Sequence, residues 1–155
     1  MAKKFGQVRQ VTTSGGTRVE GLGGARNIDR QSALYEQNHV VEGLWVTPQA
    51  TPDTTVDVSA GKVRINGTIY NVSASSGLDM TAAHASLARY DIVQVNTSGT
   101  IARKGGTAAA SPVVPLPDAN NIRLCTVTRA ANDNAVGSAD INNDTRPKLG
   151  ATDVA

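Results

Sequence analysis

The sequence is poor in the residues that build large cores, disulfide frameworks and membrane spans. Phe, Trp and Tyr together make up 3% of its 155 residues, and Cys125 is its single cysteine. One cysteine excludes an intramolecular disulfide, and no apolar run approaches the roughly 18 residues of a membrane-spanning helix. A core must therefore come from Val, Ile, Leu and Ala, and such a core is thin. Chains of this kind often bury further surface by forming oligomers.

Signals for secretion and for nucleic-acid binding are also weak. Lys3 and Lys4 form a basic start, but no apolar stretch follows them, so no secretory signal is predicted. The net charge of +2 is spread over sparse cations with few aromatic residues between them, which does not indicate nucleic-acid binding. We therefore expect a protein that is made in the cytoplasm and binds neither membrane nor nucleic acid.

The amino-terminal segment differs from the rest of the chain. Residues 1–30 hold six cations and two carboxylates, a net charge of +4, which leaves −2 for the remainder. The segment is rich in glycine and too poor in apolar residues to form a core of its own. We predict that residues 1–27 are an extended arm that docks on an acidic neighbouring protein. The cations assigned to this docking are Lys3, Lys4, Arg9, Arg18 and Arg26.

Residues 28–42 have the one helical pattern of the sequence. Asp29 suits an N-cap and Gly43 a helix terminator, while Leu34, Tyr35 and Val41 form a partial apolar stripe. We predict a short helix or linker over 28–42.

Residues 43–147 change to short β-forming segments separated by turns. The spacing of roughly 8–12 residues, without helices in between, is typical of an antiparallel β-sandwich or barrel. Residues 105–120 hold three prolines and cannot form a central strand, and residues 148–155 read as a tail. The expected class is therefore all-β. The clearest strands are 44–48, 54–61, 89–95, 100–103 and 121–129.

The stretch KVRINGTIYNV at 62–72 predicts a hairpin. Asn66-Gly67 favours a two-residue type I′ turn, which needs positive φ at both positions. This turn pairs Ile65 with Thr68 and Val63 with Tyr70. These side chains are expected to share one face with Val72, while Arg64 and Ile69 point the other way. In the strand at 121–129, strict alternation predicts one face of Ile122, Leu124, Thr126 and Thr128, and another of Arg123, Cys125 and Val127.

No arrangement of residues predicts catalysis, a cofactor or a metal. His39 and His84 stand apart, and Cys125 lies in a strand where a buried, inert thiol is expected. Asp140, Asn142 and Asp144 have the oxygen spacing of a calcium loop. However, Thr145 and Ala151 replace its glycine and its bidentate glutamate, so an Asx-rich turn with an Asp144–Arg146 pair is expected.

Carbohydrate binding usually needs an exposed aromatic platform. Trp45 follows Leu44 at the start of the β region, so we expect its ring to be packed rather than open to a sugar. A glycan-reading role is disfavoured on this ground.

An ordered series of short motifs runs through residues 43–147. It starts with GLWVTP and VDVSAGKVRINGTIY, continues with RYDIV and the proline-rich loop, and closes with DINNDTR. The series resembles a module found in tail-fibre, baseplate and head-fibre proteins of tailed bacteriophages. Cys125 stands where that family usually has alanine. The motif positions are Gly61, Asn66, Gly67, Tyr70, Arg89, Asp91, Asp144 and Arg146.

The resemblance implies a non-enzymatic virion component without a cofactor, made in the host cytoplasm. Such modules are usually homotrimers and bind other capsid or tail proteins. Fibres of the family continue well past the closing arginine, whereas this sequence ends at Ala155. We therefore expect an adaptor or short fibre attached to head or tail. A capsid decoration protein and a glycan- or receptor-binding module are the alternatives.

Overall fold

The structure is a computed structural model that describes residues 9–13, 16–20 and 37–148. The chain divides into two compact units, residues 1–37 and residues 38–155. In the first unit, β1 (Arg9–Thr13) pairs antiparallel with β2 (Gly16–Glu20). The predicted extended arm thus contains a paired hairpin. The other residues of 1–27 lie outside the described part of the chain.

The helix predicted over 28–42 is wrong for its last part. His39–Gly43 forms a strand, β3, which pairs antiparallel with residues 61–64, while 28–36 lie outside the described residues. Val40 and Val41 are β-branched and favour extended backbone, and Val40 packs into the core. The burial of Val40 in the core outweighs the weak helical preference of this segment.

The second unit is all-β, as expected, and no α-helix occurs within residues 37–148. Two short 3₁₀ turns, Ser138–Asp140 and Asn143–Thr145, lie near its end. The proline-rich residues 106–121 contain no strand, and Gly105 only ends an edge strand, which confirms that residues 105–120 form no central strand. The remaining strands are β4 Val46–Pro48, β5 Thr55–Val58, β6 Gly61–Ile65, β7 Thr68–Val72, β8 Ser75–Asp79, β9 Arg89–Val95, β10 Ile101–Gly105, β11 Ile122–Arg129 and β12 Ile141–Asn142.

These strands form three antiparallel sheets. Their orders are β3-β6-β7, β4-β5-β8 and β10-β9-β11-β12. One hydrophobic cluster draws side chains from all three sheets, in a sandwich-like packing. Valine dominates this core, and none of the described aromatic residues is fully buried in it, as the composition predicts.

The predicted hairpin is confirmed in its turn, register and faces. Asn66 and Gly67 have φ of 51° and 81°, the left-handed values that a type I′ turn requires. Ile65 lies opposite Thr68, and Val63 lies opposite Tyr70. Val63 and Ile65 face the core, whereas Ile69 points to solvent.

The predicted faces of residues 121–129 are only partly right. The register of β11 against β9 shifts between Arg123 and Cys125, which marks a β-bulge. A bulge adds a residue to one strand and interrupts the alternation of its side chains. Leu124 and Cys125 are consequently both buried, while Thr128, predicted beside Leu124, is exposed.

The turn conformation gives a direct test of the hairpin. Replacing Asn66-Gly67 with Val-Val should lower the free energy of unfolding by about 2 kcal/mol or more, because β-branched residues resist positive φ. Urea unfolding followed by circular dichroism measures the change. The double variant Thr68→Val, Ile69→Val places the same side chains at exposed strand positions and should unfold like the parent. Equal stability of the two variants would contradict the type I′ assignment.

Candidate functional site

A buried carboxylate, Asp91, lies at the centre of the β9 sheet. It accepts hydrogen bonds from Arg89 Nε at 2.9 Å, from Arg103 Nη1 at 3.0 Å and from the Gly106 backbone N–H at 3.1 Å. The side chain of Asp91 has no solvent exposure. The carboxylate therefore connects β9, β10 and the start of the proline-rich loop at one point.

Arginines of this cluster also fix the turn that precedes β9. Arg89 donates to the carbonyl oxygens of Met80 and Ala82, and Arg129 Nη2 donates to the Thr81 carbonyl at 3.0 Å. Thr81 has a φ of 60°, an unfavourable conformation for a β-branched residue. Burial, and then the nearby Arg89 charge, lower the pKa of Arg129 from its ordinary value. The cluster thus holds a strained turn against the sheet.

A second buried arginine, Arg146, fixes the connection between β3 and β4. Its Nη1 donates to the carbonyl oxygens of Gly43 at 2.9 Å and Leu44 at 3.2 Å. Gly43 and Leu44 both have left-handed backbone, with φ of 63° and 57°. Desolvation by burial lowers the pKa of Arg146. The closing segment of the module is therefore tied to the first strands.

Two further motif positions, Gly61 and Tyr70, also have architectural roles. Gly61 opens β6, where a Cβ would overlap the Glu42 carbonyl oxygen and lie 2.8 Å from the Leu44 side chain. Tyr70 on β7 is partly buried and packs against the core. At these two positions, close backbone approach and core packing explain the residue types.

The expected Asp144–Arg146 pair is wrong. The Asp144 carboxylate lies 3.0 Å from Lys148 Nζ at the surface, because the Arg146 guanidinium turns inward to the backbone carbonyls. The Asx-rich turn itself is confirmed: Asn142 Oδ1 accepts from the Asp144 N–H at 3.0 Å, and Asp140 Oδ2 accepts from the Gly137 N–H at 2.8 Å.

Trp45 was expected to be packed, but half of its surface is exposed. The Arg146 guanidinium carbon lies 3.6 Å from the centroid of the indole ring, a cation–π contact. Trp45 and Val41 line an open groove of about 490 Å³, together with Arg146 and Lys148. The buried Leu44 occupies the position in the core that we expected for both residues.

Cys125 is buried, and its burial raises the pKa of the thiol to about 12. The His84 ring accepts backbone hydrogen bonds from Ser86 and Leu87 through Nδ1, so it caps a turn. His39 is buried on β3. Of the five cations assigned to the arm, Arg9 and Arg18 lie on β1 and β2, while Lys3, Lys4 and Arg26 lie outside the described residues.

Comparison with known proteins adds no relative. The chain matches no protein-family model, no curated protein and no solved structure. In the described part of the chain, no helix has the length and apolar character needed to cross a membrane, and no group of three or more His, Cys, Asp or Glu side chains is placed to hold a metal ion.

Sequence reasoning singled out Arg89, Asp91 and Arg146 but missed Arg103 and Arg129. The signal for Arg129 was present, because it shares alternation parity with Cys125 and Val127 at the end of an apolar strand. A charge on a core-facing position needs a partner. The exposure of Trp45 had no comparable local signal.

The Asp91 cluster predicts a large loss of stability on Asp91→Asn. Neutralising this carboxylate leaves Arg89 and Arg103 without their common anion, and breaking a buried ion pair costs about 3–5 kcal/mol. Urea unfolding measures the loss. The matched control is Asp144→Asn, which removes a carboxylate that is 87% exposed and should leave the unfolding midpoint nearly unchanged. A small effect of Asp91→Asn would contradict the proposed importance of the cluster.

The Cys125 thiol should be inert in the native protein. With a pKa of about 12, only about one thiol in a thousand is ionised at pH 9, so a thiol reagent should react slowly until urea unfolds the chain. The raised pKa also makes stability depend on pH. Because folding favours the neutral thiol, Cys125 contributes to the free energy of unfolding below about pH 9, and this contribution is lost as the pH rises toward 12. Cys125→Ala should lack that part of the alkaline loss. Rapid labelling of native protein at neutral pH would contradict the assignment.

Proposed function

We propose that this chain is a non-enzymatic structural protein of a tailed-bacteriophage particle. It is an adaptor or short fibre that attaches to the head or tail through its amino-terminal segment and displays the β module. It assembles with copies of itself, as a homotrimer, and with other virion proteins. Capsid decoration is the alternative placement on the same particle.

The roles of the motif residues are the observation that carries this proposal. Arg89, Asp91 and Arg146 belong to the series that resembles phage structural modules. In the fold, their hydrogen bonds connect strands and strained turns to each other. Gly61 and the Asn66-Gly67 turn act in the same way. A signature made mainly of architectural residues supports a scaffolding module.

The division of the chain also supports attachment through the amino terminus. Residues 1–37 form a unit distinct from the β module. Residues 1–30 carry the +4 charge, and Arg9 and Arg18 lie on the β1–β2 hairpin. A small cationic unit joined to a larger β module suits binding to an acidic site on the particle, where many symmetric copies raise the avidity.

A glycan-binding module is the second candidate function. The observation in its favour is Trp45, whose half-exposed indole lies in an open groove with charged side chains nearby. Exposed indole rings stack on the apolar faces of sugars. Quenching or a shift of the single tryptophan's emission on adding oligosaccharides would favour this candidate.

Particle incorporation tests the proposed function. Tagged full-length chain and a variant lacking residues 1–37 are expressed during infection by the phage that encodes the chain, and gradient-purified particles are immunoblotted. The full-length chain should copurify with particles, and the shortened chain should not, because it lacks the attachment unit. Immunogold labelling then separates capsid decoration from a tail position.

The control is the fold of the shortened chain. Its β signature and thermal unfolding should match those of the module, since the described core lies within residues 40–136. Absence of the full-length chain from purified particles would contradict the proposal. Incorporation of the shortened chain would contradict only the attachment role of residues 1–37.

A further inference from the structure

The proline-rich loop exposes an unusual apolar stripe. Val113 and Leu116 are 79% and 78% exposed, the highest values among the large hydrophobic residues that the structure describes. Single exposed hydrophobic residues are common on soluble proteins. Two such residues lie only three positions apart here, and this clustering favours a surface that binds a partner.

The sequence of this loop restricts its backbone to an extended form. Proline fixes φ near −65° at positions 112, 115 and 117, and each residue before a proline avoids the helical region. In a polyproline II helix, with three residues per turn, residues i and i+3 lie on one edge. Val113 and Leu116 have this spacing, and the intervening Val114 and Pro115 are less exposed. The loop thus presents a preformed ridge, which we define as residues 112–117.

The ridge is anchored to the fold through Gly106, at the start of the proline-rich loop. The Gly106 N–H donates to buried Asp91, and a Cβ at Gly106 would lie 3.3 Å from Pro115 Cδ. The Asp91 cluster therefore holds the base of the loop. A rigid ridge loses little conformational entropy on binding.

The groove beside Trp45 has the complementary character. Aromatic-lined grooves are the usual receptors of polyproline II segments, whose backbone carbonyls lack internal hydrogen bonds. The groove offers the half-exposed Trp45 and the exposed Val41. An indole N–H is a hydrogen-bond donor, so it can pair with a carbonyl of such a segment. Val41, Trp45, Val113 and Leu116 are four of the six exposed large hydrophobic residues of the described chain.

The ridge and the groove do not occupy one another within one chain. Pro117, at the end of the ridge, lines a shallow pocket with Asn38 and Pro147. Asn38 and Pro147 adjoin residues of the groove lining, which contains His39, Arg146 and Lys148 but no ridge residue. A second copy is therefore needed to bring ridge and groove together.

We propose that the ridge of one copy binds the Trp45 groove of a neighbouring copy. This head-to-tail contact uses two different surfaces on each chain, so it closes a ring when the rotation between copies permits, and three copies would make the trimer. The inference rests on the proposed structural function, which it deepens by naming the self-association surface.

Solution mass and tryptophan emission test the proposal on the full-length chain. Multi-angle light scattering should give an oligomer that dissociates on dilution. Leu116→Asp and Trp45→Ala should each raise the dissociation constant at least about tenfold, as expected for central anchors of an interface. Because Trp45 is the single tryptophan, its emission should shift to the red on dilution of the parent, and Leu116→Asp should abolish that dependence.

Ile69→Asp is the matched control, since Ile69 is 52% exposed on β7, outside ridge and groove, and this variant should assemble like the parent. A mixture of Val113→Cys and Val41→Cys chains should form disulfide-linked heterodimers in excess over a mixture of Val113→Cys and Ile69→Cys chains. Monomeric parent protein, disruption by Ile69→Asp alone, or equal cross-linking of the two mixtures would overturn the inference. A tryptophan response to oligosaccharide without a response to dilution would assign the groove to a glycan instead.

The outcomes separate this inference from the proposed function. A chain that is present in particles but whose oligomer ignores Leu116→Asp removes the ridge–groove contact and leaves the structural function. A chain that assembles through the ridge but is absent from particles keeps the contact and removes the virion role.

Discussion

The burial of the Asp91 carboxylate is the constraint on which the β9 sheet and its loops depend. Removing a carboxylate from water costs several kcal/mol, so the fold must surround it with donors of good geometry. Arg89, Arg103 and the Gly106 N–H meet this demand from β9, β10 and the proline-rich loop. Each donor also commits its own segment, so the carboxylate fixes the β9–β10 register, the departure of the loop and, through Arg89, the turn before β9.

Arginine side chains also hold the strained parts of the backbone. Among the described non-glycine residues with positive φ, three are asparagines, which tolerate that region, and the other two are Leu44 and Thr81. Arginines donate to the carbonyls of both: Arg146 to Leu44, Arg129 to Thr81. Such strain costs about 1–3 kcal/mol per residue, comparable to the 1.5–3 kcal/mol of a hydrogen bond from a charged donor. Among residues 37–148 the core is rich in valine and no aromatic residue is fully buried in it. The hydrogen bonds from these arginines hold the connections between strands in place.

Features set by neighbouring residues could be predicted from the sequence, whereas features set by residues far apart in the chain could not. The Asn66-Gly67 hairpin is set by two residues and their neighbours, and its turn, register and faces were all predicted. The β11 bulge, the strand at 39–43 and the exposure of Trp45 depend on partners elsewhere. Arg146 reaches carbonyls about a hundred positions earlier in the chain, so local spacing favoured Asp144 as its partner and gave the wrong pair. Composition predicted the thin aliphatic core because composition is independent of register.

The residues that carry the phage resemblance mostly differ from those left exposed at the surface. The first set forms internal contacts, and the second remains available for binding. Internal contacts occupy four of the motif residues: Gly61, Arg89, Asp91 and Arg146. These residues specify the shape of the module and offer little to a binding partner. In the proposed assembly, selectivity comes from exposed side chains, chiefly Trp45 and Val41 in the groove and Val113 and Leu116 on the ridge. The two classes are nevertheless coupled, because Asp91 holds the start of the loop that carries the ridge and Arg146 stacks on Trp45. In the proposed assembly, the clusters that stabilise the fold would also hold the ridge and the groove in place before a neighbour arrives, which would lower the entropic cost of assembly.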